Sequence, residues 1–180
     1  FTAKTMKYTW VYSTAKVKES SVDEIVEQSL KNGLVDGKIV SNAKDKRLNK
    51  VDKSIRKAKI TFLDKLENSH IYNLVYTLGM EINNESFGFD INQLETVQFT
   101  FYDSSDKGKY DWHTDTVWVS DDCYHRKLSV VIQLSDPSDY EGGVLEIQDG
   151  DFTKQDKINI KQKGSVIVFP SFMEHRVTPV

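Results

Sequence analysis

From Leu94 onward, hydrophobic and polar residues alternate in short runs, and each run ends near Asp, Ser or Gly. A period of two is the signature of a strand with one buried face. Seven such runs predict seven strands: LETVQFTFY, GKYDWHTD, KLSVVIQLS, GGVLEIQ, KINIKQK, SVIVFP and EHRVTPV. Because no helical pattern separates them, these short strands predict an antiparallel barrel or sandwich.

The first half of the chain shows the helical period instead. In residues 21–33, SVDEIVEQSLKNG, apolar residues recur at helical spacing, Ser21 and Glu24 have the capping-box pattern, and Gly33 is typical of a helix end. A second helix is predicted from Ser69 to about Asn83. Its apolar stripe consists of Ile71, Leu74, Val75, Leu78 and Ile82. Strands are predicted before each helix, in MKYTWVY and KITFL.

Length and composition favour a single folded domain. The chain has 180 residues, 38% hydrophobic and 28% charged, without a Pro- or Gly-rich linker. We expect helical support at about residues 20–85 and a β-barrel core at about residues 94–180. Cys123 is the only cysteine, and the sequence has neither a signal-peptide pattern nor an apolar run of about 20 residues. These features predict an intracellular protein without a membrane span.

The charge of the chain is uneven. Residues 44–59, KDKRLNKVDKSIRKAK, contain eight Lys or Arg against two Asp, in a chain of net charge -3. Such a segment can bind nucleic acid or an acidic partner, although a solvated loop or helix face is the more common origin of the pattern.

Residues that could hold a metal occur in the predicted strands. Residues two apart on a strand point the same way, so His113 and Asp115 in YDWHTD can present an imidazole and a carboxylate to one point. His175, at the start of the last predicted strand, can lie beside them in an antiparallel fold. Two His and one carboxylate form the facial triad of non-haem Fe(II) sites, whereas zinc prefers a tetrahedral site. The alternative is a hydrogen-bonded pair without metal.

Several ordered blocks resemble a known family. YDWHTD, RKLSVVIQLSD, YEGGVLEI, KGSVIVFPS and EHRVTPV match, in order, the pattern of the prolyl 4-hydroxylase-like 2-oxoglutarate and Fe(II)-dependent dioxygenases. The resemblance covers roughly residues 94–180. It implies a mainly β fold with N-terminal helices, in which a double-stranded β-helix, or jelly roll, packs against an α-helical layer.

The resemblance also implies the chemistry. His113, Asp115 and His175 would ligate Fe(II), and 2-oxoglutarate would bind the iron through its 2-oxo and C1-carboxylate groups. O₂ is then consumed, succinate and CO₂ are released, and ascorbate is a candidate reductant. The reaction expected is hydroxylation of a residue in a protein or peptide, with proline as the first choice.

Further site residues follow from the resemblance. Tyr102, Gln133, Ser129 and Tyr110 are candidates for contact with the cosubstrate, and each is also an ordinary strand residue. Tyr110 ranks below Tyr102, because three residues before His113 it points away from the His113 face of an ideal strand unless a bulge intervenes. Trp118, Tyr124 and Arg126, in or beside a predicted covering loop, are candidates for substrate contact. Gly142 and Gly143 match a hairpin entry that needs free φ angles.

The sequence departs from the family pattern at one point. The C5-carboxylate of 2-oxoglutarate normally meets an Arg or Lys about nine residues after the distal histidine, but only five residues follow His175. We therefore expect this cation, and the final strand, beyond Val180. The alternatives are that another cation, such as Lys163 or Arg126, takes the role, or that 2-oxoglutarate binds poorly. Arg176 would point to the opposite face.

Two other functions remain open. A nucleic-acid oxygenase that removes methyl groups shares the iron chemistry, and residues 44–59 are its support. The third possibility is a non-catalytic β-barrel that binds metal without turnover. Its support is that no Arg or Lys stands at the expected position about nine residues after His175. The oligomeric state is not predicted.

Overall fold

The computed structural model describes residues 9–43, 46–116, 125–148, 155–158 and 160–180. These ranges contain two α-helices, α1 (Glu19–Lys31) and α2 (Ser69–Ile82), a π-helical turn (Asn83–Phe87) and a 3₁₀ turn (Ser104–Asp106). Their thirteen strands are β1 (Val11–Ser13), β2 (Val35–Asp36), β3 (Ile39–Ala43), β4 (Lys46–Lys50), β5 (Arg56–Lys57), β6 (Lys59–Phe62), β7 (Gln98–Phe101), β8 (Lys109–His113), β9 (Leu128–Ile132), β10 (Leu145–Gln148), β11 (Gln155–Ile158), β12 (Val166–Pro170) and β13 (His175–Val177).

The strands form four antiparallel sheets. The largest has the order β11-β10-β13-β8-β5, and two three-stranded sheets have the orders β1-β12-β9 and β2-β6-β7. β3 and β4 form a separate hairpin. Each of the seven strands predicted after Leu94 overlaps one strand of the structure, from β7 to β13. The predicted antiparallel β-rich half is therefore confirmed.

Strand β12 lies at the centre of the packing and is buried along its whole length. Alternate residues of β12 pack into two different hydrophobic clusters. Val166 and Val168 pack with residues of both helices, whereas Ile167 and Phe169 pack with Ile147 of the five-stranded sheet. A strand buried on both faces is expected to be apolar throughout, which explains the continuous run VIVFP. The β1-β12-β9 and five-stranded sheets thus share a core, as in a jelly roll.

Helix α1 starts earlier than predicted. Its N-cap is Lys18, which makes no side-chain capping bond, so the capping box at Ser21 and Glu24 is wrong. Val17 and Val22, which flank the N-cap at the staple positions, are both buried in one cluster, and the Val17 amide donates to the Gly164 carbonyl (2.9 Å). This anchoring, rather than a polar cap, determines where α1 begins. The predicted end is confirmed, since Gly33 has φ +71°.

Helix α2 agrees closely with its prediction. Four of the five residues of the predicted stripe are buried, and the fifth, Leu74, is partly buried. The stripe packs against Val130 and Ile132 of β9. A Cβ at Gly79 would lie 3.3 Å from a Val130 methyl, so the close approach of helix and strand favours glycine here. Within the described ranges, no helix is both long and apolar enough to cross a bilayer.

The two remaining sequence predictions had mixed outcomes. Basic residues 44–59 include strands β4 and β5 and the turn between them, at residues 51–55, and Arg56 is only 7% exposed. Lys50, Lys53 and Lys59 are exposed, as expected for a solvated segment, whereas the buried Arg56 departs from that expectation. The strand predicted at MKYTWVY, residues 6–12, overlaps β1 at its last two residues, and residues 6–8 lie outside the described ranges.

Candidate metal centre

The three candidate metal ligands lie together at the edge of two paired strands. His113 is the last residue of β8, Asp115 follows two residues later, and His175 is the first residue of β13. The antiparallel register places His113 opposite His175. One ligand atom from each of the three residues lies within 4.8 Å of the other two. The fold therefore makes the juxtaposition that the sequence predicted.

The three side chains converge without bonding to one another. His113 Nε2 is 3.8 Å from Asp115 Oδ1, and His175 Nε2 is 3.6 Å from Asp115 Oδ2. Both distances are too long for hydrogen bonds. A plain hydrogen-bonded His–Asp pair is therefore not what the structure contains. Three ligand atoms that face one point without bonding to each other fit a bound cation.

Both imidazoles are oriented by backbone carbonyls. His113 Nδ1 lies 2.7 Å from the Asp111 carbonyl, and His175 Nδ1 lies 2.9 Å from the Met173 carbonyl. A carbonyl oxygen can only accept, so each Nδ1 carries the proton and donates. In this tautomer the Nε2 atom of each ring carries the lone pair. This is the tautomer that a metal-binding histidine needs.

Burial keeps the His113 ring neutral. Loss of solvent around the imidazole, followed by the nearby His175, lowers the pKa of His113 to about 4. Protonation is therefore unfavourable at neutral pH even beside Asp115. An unprotonated ring is available to a metal without first losing a proton.

A chain of hydroxyl groups positions Asp115. Ser129 Oγ donates to Asp115 Oδ2 (2.6 Å) and lies 2.9 Å from Ser171 Oγ. The Ser171 carbonyl accepts from the amides of Asp115 (2.9 Å) and Thr116 (3.0 Å). The hydroxyl of Ser129 thus contacts a predicted metal ligand, where a cosubstrate contact was expected. Fully buried Ser171 was missed, and only its place after a wholly apolar strand could have indicated it.

Tyr110 lies against His113 because the strand is irregular. The pairing of β13 with β8 shifts between His175↔His113 and Val177↔Tyr110, so two steps on β13 oppose three on β8. This bulge brings Tyr110 onto the face of His113, and the two rings stack with centroids 3.5 Å apart and planes at 14°. The bulge that Tyr110 needs in order to share a face with His113 is therefore present.

Tyr102 and Gln133 also line the cavity that contains the triad, which has a volume of about 1750 Å³. Burial raises the pKa of Tyr102 to about 12, so its hydroxyl stays protonated and can donate a hydrogen bond. Gln133 Nε2 donates to the Tyr140 hydroxyl (2.7 Å). Both side chains are placed where a ligand in the cavity could meet them.

The candidates for substrate contact and the alternative cations for the C5-carboxylate remain to be located. Arg126 pairs with Glu95 through two nitrogens (2.7 and 2.8 Å) and its Nη1 donates to the Asp115 carbonyl (3.3 Å). Trp118 and Tyr124 lie outside the described residues. Lys163 pairs with Asp23 (2.6 Å) and Glu19 (3.5 Å).

Two further predictions about neighbouring residues agree with the structure. Arg176 pairs with Glu146 (2.6 Å) and lies over the Trp112 ring, and it is not among the residues that line the cavity beside His175. Gly142 and Gly143 have φ angles of +72° and +59°, so the expected need for free φ angles is confirmed.

Taken together, the donor set is two imidazoles and one carboxylate beside an open cavity. Such a set suits a divalent transition metal, and three ligands on one side leave positions for other molecules. The hydroxyl on Oδ2 and the carbonyls on both Nδ1 atoms supply the outer bonds that metal ligands usually have. The residues present fit an Fe(II) centre.

Comparison with known proteins agrees with this geometry. Residues 97–180 match the model of the 2OG-Fe(II) oxygenase superfamily. A PKHD-type hydroxylase from Azoarcus sp. (strain BH72) is 40% identical over 80 residues, which are 43% of this chain and 34% of that protein. Another, from Teredinibacter turnerae, is 36% identical over 76 residues, 41% of this chain and 32% of that protein. The chain spans about a third of the length of these relatives.

Solved structures show the same fold. A prolyl-4-hydroxylase from Pseudomonas putida superposes with a TM-score of 0.68 at 18% identity, covering 96% of this chain and 87% of that one. A prolyl hydroxylase from Trichoplax adhaerens, solved with a peptide fragment of hypoxia inducible factor, gives 0.71 at 19% identity, covering 95% and 77%.

The shared fold and the convergent triad define a jelly-roll protein with a candidate metal site of two histidines and one aspartate. Residues 97–180 of this chain match the 2OG-Fe(II) oxygenase superfamily, in agreement with the resemblance seen in the sequence motifs.

Proposed function

We propose that this chain is an Fe(II)- and 2-oxoglutarate-dependent dioxygenase domain that hydroxylates a residue of a protein or peptide, with proline as the first candidate. His113, Asp115 and His175 would hold the iron. When bound, Fe(II) with 2-oxoglutarate and O₂ supplies the oxidation, in which one oxygen atom enters a C–H bond and the other leaves in succinate, with release of CO₂.

One observation carries this proposal: three ligand atoms of the facial-triad type face one point without hydrogen bonding to each other. The same residues stand in the motifs that match the family. A structural role alone would not explain one half-buried and one buried imidazole that both turn their Nε2 atoms toward one carboxylate.

The residues around the triad have distinct tasks in this proposal. Tyr102, whose hydroxyl remains protonated, donates to an oxygen of the cosubstrate, and Gln133 provides a second polar contact in the same cavity. Ser129 holds the Asp115 carboxylate instead of touching the cosubstrate. Lys163 and Arg126 already pair with carboxylates, so neither is proposed as the partner of the C5-carboxylate.

A peptide substrate suits the open side of the site. Strands β7 and β9 line the cavity, and each has a single strand partner among the described residues. An extended peptide can follow such a cleft while one residue approaches the triad. Arg126, with Trp118 and Tyr124, remains our choice for contact with this substrate, and the Trichoplax relative was solved with a peptide.

The test is an anaerobic titration of the metal-free protein with Fe(II) and then 2-oxoglutarate. A charge-transfer absorption band should appear in the wild type and be lost in His113→Ala, Asp115→Ala and His175→Ala, all three of which should stay folded. His70→Ala is the matched control, since this exposed histidine pairs with Glu24 far from the triad. Succinate release with proline-containing peptides then tests the substrate.

Other outcomes would favour the alternatives. Metal binding without any 2-oxoglutarate band would support a non-catalytic metal-binding barrel. Activity that survives in two of the three ligand variants would contradict the triad. Turnover with methylated nucleic acid but not with peptides would replace the peptide substrate, although burial of Arg56 weakens the case for residues 44–59 as a basic surface.

A further inference from the structure

The structure contains an almost fully buried arginine whose charge has no carboxylate partner among the described residues. Arg56 lies on β5, at the edge of the five-stranded sheet, and is 7% exposed. Its Nη1 donates to the Lys38 carbonyl (2.9 Å), and its Nε has no hydrogen-bond partner. Buried charges are costly unless they are compensated, so the remaining contact of this guanidinium needs explanation.

That contact is the face of an aromatic ring. The guanidinium carbon of Arg56 lies 4.5 Å from the centroid of the Tyr110 ring, its neighbour in the β5–β8 register. A desolvated cation over a tyrosine face is a strong example of this interaction. The other face of the Tyr110 ring stacks on His113 at 3.5 Å. Arg56, Tyr110 and His113 therefore form one column, which we call the Arg–Tyr–His stack.

The far end of the stack is held rigidly. A Cβ at Gly37 would come within 2.8 Å of Arg56 Nε, so the guanidinium packs directly on the bare backbone of that glycine. With Nη1 bonded to Lys38 as well, the guanidinium plane has little freedom. The fixed guanidinium can therefore restrain the tilt of the Tyr110 ring. Among the described residues, the Tyr110 hydroxyl makes no hydrogen bond that would do so.

The near end of the stack is a metal ligand that needs orientation. The hydrogen bond from Nδ1 to Asp111 determines which nitrogen of His113 faces Asp115, but it leaves the ring free to rock about that bond. Stacking against Tyr110 removes this rocking, because the nearly parallel planes restrain the imidazole along its whole face. His175 has a different support, the edge of Phe169 at 4.7 Å.

From this geometry we infer that Arg56 is a positioning residue, which fixes the His113 imidazole for metal binding through the ring of Tyr110. The inference rests on the proposed function in that it takes His113 as a metal ligand. The inference goes beyond the proposed function in assigning a role at the metal site to Arg56, which lies in basic residues 44–59 and is distant in sequence from the triad.

The first measurement uses the metal-free protein and does not depend on activity. Proton NMR of the four histidine rings, assigned with His113→Ala, reports the shielding of His113 by the Tyr110 ring. Arg56→Met, which keeps bulk but removes the charge, should shift the His113 ring signals and leave those of His70 in place. Lys57→Met is the matched control, because it removes a cation from the next position of β5, where Lys57 Nζ donates to the Asp106 carbonyl on the exposed side.

The second measurement is the affinity for Co(II) as a spectroscopic probe, by competition with a chelator. Arg56→Met and Tyr110→Leu should each weaken binding about tenfold, the usual effect of removing an outer support of a ligand. Tyr110→Phe keeps the ring and should stay within about twofold of the wild type. Because Arg56 acts through Tyr110, the double variant Arg56→Met/Tyr110→Leu should bind no more weakly than Tyr110→Leu. Thermal unfolding confirms that each variant is folded.

The outcomes separate this inference from the proposed function. Wild-type protein that binds no metal refutes the proposed function, while the NMR result still decides whether the stack orients His113. Wild-type protein that binds Co(II) equally well as Arg56→Met, with unchanged His113 signals, refutes the inference alone. The inference also fails if Arg56→Met loses affinity for 2-oxoglutarate at saturating metal and keeps its metal affinity, because Arg56 would then be a carboxylate receptor.

Discussion

Replacing Ser129 by alanine distinguishes two roles for this residue. The family resemblance suggests a contact with the cosubstrate, whereas the structure gives its hydroxyl to Asp115 Oδ2 at 2.6 Å, with Ser171 behind it. Ser129→Ala removes one oxygen and leaves the strand unchanged. We expect the variant to weaken metal binding and to spare the binding of 2-oxoglutarate once metal is saturating.

The magnitude follows from the type of bond that is lost. A hydrogen bond to a charged group contributes about 1.5–3 kcal/mol, and about 1.4 kcal/mol corresponds to tenfold in affinity. If that bond is needed to hold Asp115 in its metal-binding orientation, the metal affinity should fall about 10- to 100-fold, the range found for outer ligand supports. The fully buried Ser171 also loses a partner, so a loss of about 1 kcal/mol in unfolding free energy should accompany the change.

The assay has two parts. Co(II) affinity is measured by chelator competition, and 2-oxoglutarate affinity is then measured at saturating Fe(II) without oxygen, from the charge-transfer band. Ser138→Ala is the matched control, because Ser138 Oγ donates to Asp136 at the same 2.6 Å but on the exposed surface.

The result that would refute this reasoning is the reverse pattern. If Ser129→Ala binds Co(II) as tightly as Ser138→Ala does, and binds 2-oxoglutarate tenfold more weakly, Ser129 is a cosubstrate contact and the hydroxyl chain does not position Asp115.

Three further predictions concern stability, each measured by urea unfolding. Gly142→Ala should destabilise the fold by at least about 1–2 kcal/mol, because φ is +72° and the new Cβ would lie 2.1 Å from the Pro179 carbonyl oxygen; an unchanged midpoint would contradict this. Phe169→Ala should cost about 3–5 kcal/mol, since this fully buried ring packs against His175, and a loss below 1 kcal/mol would exclude a central role for β12. The pKa of His113 is lowered to about 4, so the unfolded chain, with an ordinary His pKa near 6.5, takes up the proton first; metal-free protein should therefore lose up to about 3 kcal/mol as pH falls from 6.5 to 4. His113→Gln should lack this part of the pH dependence, and equal slopes in both proteins would contradict the burial of a neutral ring.

The elements of this fold that depend on local pattern could be predicted from the sequence. The seven strands after Leu94 and helix α2 have hydrophobic patterns clear enough to identify them. Helix α2 buries one apolar stripe, and the fully buried strand β12 is a continuous apolar run. The start of α1 could not be predicted in this way. It depends on Val17, which packs beside Val22 and bonds to Gly164, a residue far along the chain.

In the candidate site, too, some residues could be predicted from the sequence and others only from the tertiary structure. Sequence alone identified His113, Asp115 and His175, because an i, i+2 pair on one strand and a histidine on a later strand can share a face in an antiparallel sheet. Only the tertiary structure decided how these residues are supported. The bulge that turns Tyr110 onto His113 arises from the pairing of β8 with β13, and no local pattern records it.

Arg56 and Ser171 show the physical reason most clearly. In the sequence, Arg56 is one of eight basic residues in a run and Ser171 is one serine after an apolar strand. Their burial results from contacts with residues distant in the chain: the ring of Tyr110 for the arginine, and Ser129 with the backbone of Asp115 for the serine. Residue type and spacing determined which groups could bind a metal, whereas long-range packing determined which polar groups hold them in place.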